Sequence, residues 1–153
     1  MARRSAGFTL MEVMVTVMIA GILAAFAVPS FRNMMVDQRI KGAGFDLTAA
    51  LTLARSEAIK RNGSVTLTPA SGNTSWASGW SVTAADNSVI FTQSAFADVT
   101  ITGPTSIVYN RSGRSTAAVI LQLSSPDTGS TVSPRCISVG LTGQPKSDVG
   151  TVC

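Results

Sequence analysis

The side chains that carry most protein chemistry are absent or scattered in this chain. It contains no histidine, which removes the usual general base, proton shuttle and zinc ligand. No Cys-x-x-Cys pair or Walker-type glycine loop is present, and the acids do not cluster, so metal and nucleotide chemistry lack a constellation. Three sets of residues remain. Glu12 is the only charge in the apolar stretch from Phe8 to Val28. An acid there costs about 3 kcal/mol on insertion scales, which makes it a functional candidate that needs a partner. Cys136 and Cys153, the only cysteines, permit one intramolecular pairing, which suggests an oxidising compartment. The bridge would close a short loop worth about 3 kcal/mol, and the alternative is two free buried thiols. Arg111, Arg114, Arg135 and Lys146 form the third set, four cations that would contact phosphates if the fold gathered them.

The elements that must position these residues begin with the apolar stretch. About 20 apolar residues in a helix match a hydrocarbon core of roughly 30 Å, and Arg3 and Arg4 before it orient the N-terminus to the cytoplasm and export the chain beyond the span. The same features, with Ala25-Phe26-Ala27, also imitate a secretory signal peptide cut after Ala27. That alternative would release an exported enzyme or adhesin; Glu12 argues against it. At 153 residues, with 13% charged and a mean hydropathy of +0.32, the chain has room for one domain and an anchor.

The run Gly7-Phe8-Thr9-Leu10-Met11-Glu12 resembles the processing site of type IV prepilins: a short basic leader, glycine, phenylalanine, and glutamate fifth in the mature chain. The resemblance implies a leader over 1–7 cleaved between Gly7 and Phe8 by the inner-membrane prepilin peptidase, N-methylation of Phe8, and a transmembrane and assembly helix over 8–28. A new ammonium at Phe8 and a Glu12 from a neighbouring subunit would then convert two costly charges into one pair.

Pro29 is expected to kink this helix more than end it, because Val36, Ile40, Ala43, Leu47, Ala50, Leu51, Ala54 and Ala58 continue at three- and four-residue spacing. An amphipathic continuation is expected over 29–61, with Arg39, Lys41, Arg55 and Lys60 largely off the stripe. Gly42 and Gly44 predict local looseness, and Asn62-Gly63 predicts the stop. The whole helix is expected from Phe8 to Arg61, roughly 80 Å long if continuous.

From 64 to 153 the texture is β-rich, without further helical periodicity. Strands are expected at Val65–Thr68, Gly79–Thr83, Val89–Gln93, Val99–Thr102, Ile107–Asn110, Ala117–Leu123 and Cys136–Val139, with turns at Asp86-Asn87 and Ser112-Gly113. Trp76, Trp80, Phe91, Phe96 and Tyr109 read as core or strand-edge packing. The fold class is α+β: a long N-terminal helix packed on antiparallel sheets.

The helix end Leu53-Ala54-Arg55-Ser56-Glu57-Ala58-Ile59-Lys60-Arg61, then Gly79-Trp80-Ser81-Val82, Ile107-Val108-Tyr109-Asn110 before Gly113, and Cys136-Ile137-Ser138-Val139 are similar to the FimT/FimU/GspH group of minor pilins and pseudopilins. That likeness implies a type IV pilin-like structural subunit, not an enzyme, without cofactor. Its implied partners are the inner membrane, the peptidase and other pilins through the N-terminal helix, in a type IV pilus or a type II secretion pseudopilus. Some members bind DNA through a C-terminal Gly-Arg-x-Arg motif. The corresponding Gly143-Gln144-Pro145-Lys146 lacks both arginines. With the leader and Glu12 set aside, ten cations and seven acids remain, a modest excess of three. The preferred reading of Arg111, Arg114, Arg135 and Lys146 is therefore four solvated turn charges.

Overall fold

The computed structural model describes residues 7–70, 72 and 74–150. The chain comprises two units, Met1–Met35 and Val36–Cys153.

One helix, α1, runs Leu10–Lys60, slightly inside the expected Phe8–Arg61. Its start is set by Thr9: the hydroxyl accepts from the Glu12 backbone N–H at 3.2 Å, and the Thr9 carbonyl accepts from Val13 N at 3.2 Å. This is the N-cap arrangement that satisfies donors left open at a helix start. The backbone is helical through Pro29, Gly42 and Gly44. At the other end Asn62 takes φ 50°, Gly63 N donates to Ala58 O and Asn62 N to Ile59 O, both at 3.2 Å. These two bonds form a Schellman stop, with asparagine in the left-handed position.

In the second unit Ile40, Ala43, Leu47, Ala50, Leu51, Ala54 and Ala58 are all buried, as their spacing requires of a single helix face. Arg39 and Lys60 are exposed, whereas Lys41 and Arg55 are half-buried. Among the described residues eight strands come after the helix: β1 Val65–Pro69, β2 Trp80–Ala84, β3 Val89–Gln93, β4 Thr100–Thr102, β5 Ile107–Tyr109, β6 Val119–Ser124, β7 Arg135–Val139 and β8 Pro145–Val149. They form two four-stranded sheets ordered β3-β2-β1-β5 and β4-β6-β7-β8; every pairing is antiparallel. The helix stripe and the inward residues of both sheets form one core. Gly44 is buried, and a Cβ there would make an ordinary contact with Leu123 Cδ2 at 3.8 Å.

Two elements depart from expectation. A single 3₁₀ turn, Trp76–Ser78, sits where no helix is expected; Trp76 is buried and its Nε1 donates to Pro104 O at 2.8 Å. The other is β8. Its residues carry almost no apolar content, so alternation gives no sign of a strand; register against β7 alone creates it. Among the aromatics, Trp76, Trp80 and Tyr109 are fully buried and Phe96 stacks on Trp80 with centroids 5.4 Å apart. Phe91 stays partly exposed on the edge strand β3.

Candidate functional site

The N-terminal unit presents a continuous apolar surface. From Phe8 to Met35 every large apolar side chain described is exposed, Phe8 to 81%. α1 is long and apolar enough to cross a membrane, and none of its apolar window is buried. Exposed apolar area on this scale requires lipid or protein to cover it. Glu12 lies one turn from the start of this surface. It is exposed, its own N–H is capped by Thr9, and its carboxylate favours the positive end of the helix dipole. Gly7 and Phe8 precede the first helical residue, outside regular structure and exposed. Arg3 and Arg4 lie outside the described residues.

The four cations do not share one face. β7 and β8 pair with Arg135 opposite Val149 and Lys146 opposite Ser138. Successive residues alternate across a sheet, which places Arg135 and Lys146 on opposite sides. Arg135 lies on the inner side, its Cδ 4.0 Å from the position a Cβ would take on Gly44. Arg111 and Arg114 sit exposed on the turn after β5. Asn110 Oδ1 holds that turn, accepting from Ser112 N at 2.9 Å and Arg114 N at 3.1 Å.

The placement of that turn depends on two glycines. Gly113 has φ 70° and Gly143 φ 78°, a region that strains any residue with a Cβ. A Cβ on Gly143 would sit 2.1 Å from Gly113 O, and one on Gly113 would sit 2.6 Å from Ile59 Cδ1. Arg55 Nε donates to Gly113 O at 3.1 Å. Helix, β5 turn and β7–β8 turn are thus stacked in contact, and Arg111, Arg114 and the start of β8 occupy one end of the domain. Tyr109 lies buried beneath this stack, and burial pushes its hydroxyl up to about 12.

Cys136 is buried on β7 and disulfide-bonded; Cys153 lies outside the described residues. Among the described residues no group of His, Cys, Asp and Glu is placed to hold a metal. A cleft of about 340 Å³ lies between the helix stop and the β2–β3 turn, lined by Arg61, Gly63, Ser64, Ala84, Ala85 and Asp86. Its charges are internally engaged: hydrogen bonds from Ser88 hold the Asp86 carboxyl below its usual range, while Arg61 Nε donates to Glu57 at 2.7 Å. A hydrogen bond from Arg61, then one from Lys60, likewise lowers Glu57.

A family model described as Type II transport protein GspH matches residues 44–143. The chain belongs to this family. The prokaryotic N-terminal methylation motif matches residues 2–28, and together the two place the chain in the GspH/FimU group of type IV pilin-like proteins. Two crystal structures of the Pseudomonas aeruginosa (strain PAO1) type IV minor pilin FimU share the fold at 18% identity. One has a TM-score of 0.65, covering 76% of this chain and 96% of that one. The other, in a second space group, has a TM-score of 0.60 and covers 74% and 98%. No curated protein sequence matches. Pilin-like proteins of this group are generally non-enzymatic structural subunits. Membership implies association with other pilins and with the peptidase that processes the methylation motif, and the apolar helix together with that motif points to membrane anchoring.

Sequence reasoning missed Arg55 as the residue tying the β5 turn to the helix. The available signal was the glycine pair Gly113 and Gly143, whose pairing only the tertiary contact reveals.

Proposed function

We propose that this GspH-family chain is a minor pilin, a structural subunit of the priming or tip complex of a type IV pilus. In this reading, residues 1–7 are a leader removed between Gly7 and Phe8, Phe8 is N-methylated, and residues 8–28 anchor the chain in the inner membrane. Its N-terminus is cytoplasmic and residues 64–153 form the exported domain. The uncovered apolar half of α1, with Glu12 at its start, carries the reading. An apolar helix face of this length gains its stability from packing with lipid and then with like helices, and Glu12 pairs with the N-terminal ammonium of a neighbouring subunit. Pro29 kinks the helix, and Cys136 pairs with Cys153.

Mass measurement of the mature N-terminus tests this reading: N-methylated Phe8 is the expected start, and a chain starting at Val28 overturns it. Glu12→Gln should leave cleavage intact and remove the subunit from the filament.

The match to a type II transport family supports a second reading, a pseudopilin of a type II secretion system. Deletion decides between them: loss of twitching supports the pilus, loss of secretion the pseudopilus. DNA binding is the third reading and the least supported, because Arg135 and Lys146 face opposite sides of one sheet and strong non-specific binding needs converging phosphate contacts. Salt-dependent retardation of DNA by the protein would restore it.

A further inference from the structure

The stop of α1 carries a chemistry of its own. Asn62-Gly63 is the one Asn-Gly pair in the sequence, and such a pair cyclises more readily than other asparagine dipeptides because glycine has no side chain to hinder its nitrogen. The Gly63 nitrogen gives up its proton and attacks Asn62 Cγ; the Cγ–Nδ2 bond breaks, ammonia leaves, and a succinimide ring forms. Water then opens the ring at either carbonyl, giving aspartate or isoaspartate, the latter with one extra methylene in the main chain.

The fold blocks the first step in two ways. Gly63 N donates to Ala58 O at 3.2 Å, so the proton that must leave is engaged in the stop itself. Asn62 is left-handed, at φ 50°. A residue in this region has ψ near about +47°, which sets the following nitrogen opposite Cβ and out of reach of Cγ. The turn does not need the glycine. Glycine usually fills the left-handed site of such a stop, but here asparagine fills it, and Gly63 has no positive φ. A Cβ on Gly63 would meet nothing nearer than Arg61 O, at an ordinary 3.7 Å. Gly63 thus supplies the reactivity, and the bond to Ala58 O withholds it.

We infer that Asn62-Gly63 is a latent self-modification site, shut while the last turn of α1 is formed and opened when that turn unwinds, so that unfolding of the domain leaves a covalent mark. Asn62 is exposed, so water for the ring opening is at hand. Both products oppose refolding. A new carboxylate stands at the negative end of the helix dipole. Isoaspartate also lengthens the main chain between α1 and β1, a strand paired on both sides whose Val65 is fully buried.

Peptide mass mapping of the full-length chain in detergent micelles at mildly alkaline pH tests this, with the domain folded or unfolded in urea. Conversion of Asn62 should be at least about tenfold slower in the folded chain. Gly63→Ala should slow conversion in urea by a similar factor, a measurement that does not depend on the variant folding. After urea is removed, the converted chain should melt at a lower temperature than unconverted chain taken through the same cycle. Equal rates in the folded and unfolded chain overturn the inference. So does conversion in urea that is indifferent to Gly63→Ala, or a converted chain whose melting is unchanged.

Discussion

The two stretches of α1 differ both in apolar content and in what surrounds them. Before Met35 the large apolar side chains stand exposed, whereas after Val36 a seven-residue stripe from Ile40 to Ala58 is buried. The composition explains the difference. The first stretch is apolar around its whole circumference, a pattern that suits lipid or a helix bundle. The second gathers most of its apolar residues on one face, leaving Phe45 and Ile59 exposed, and gives the other faces to Asp37, Arg39, Lys41, Asp46 and Glu57, suiting a domain with one side in water. Along one helix the surroundings therefore change, and the buried stripe begins at Ile40.

Substitution should expose that difference most strongly in the core. Leu51→Ala on the buried stripe should cost about 2–5 kcal/mol by removing packed atoms and leaving a cavity, read as a lowered thermal midpoint of the domain. Ile19→Ala, a comparable truncation on the exposed stretch, should shift that midpoint by less than about 0.5 kcal/mol equivalent. Equal effects would break the comparison. Gly143→Ala should destabilise the domain by about 1–3 kcal/mol, since it strains a left-handed backbone and intrudes on Gly113; denaturant unfolding measures it. The same change at Gly21, where a Cβ meets nothing, should be tolerated.

Tyr109 gives a pH test confined to the domain. Its hydroxyl is raised from 10.0 to about 12 by burial, so the folded state holds the proton where the unfolded state has released it. That contribution is complete below pH 10 and is lost as pH rises toward 12. Alkaline titration should show tyrosinate absorbance appearing together with unfolding, and Tyr109→Phe should flatten the pH dependence in that window. The smallest effect belongs to the helix start. Thr9→Ala should cost about 1 kcal/mol of local helix stability, visible as faster amide exchange at 12–14, with the domain's melting unchanged.

Much of this molecule was legible because its strongest signals are periodic or local. The stripe from Ile40 to Ala58 reads directly as one helix face, and Asn62-Gly63 as its stop, since helix spacing and the left-handed preference are properties of neighbouring residues. The alternating strands β1 and β2 declare themselves for the same reason. The 3₁₀ turn at Trp76 does not, because a three-residue element has no period and is fixed by tryptophan packing.

Legible from the sequence by itself were the long apolar stretch, the isolated Glu12 within it, an N-terminal methylation motif, and an α+β domain behind one amphipathic face. Only the tertiary structure decided that β8 exists, that Gly113 and Gly143 touch, that Arg55 holds the turn between them, and that Arg135 and Lys146 lie on opposite sides of one sheet. The physical reason is the range of the interactions. Hydrophobic periodicity and capping act over a few residues along the chain. Strand register and close glycine contacts join positions far apart in the chain, and no short window of sequence contains both partners.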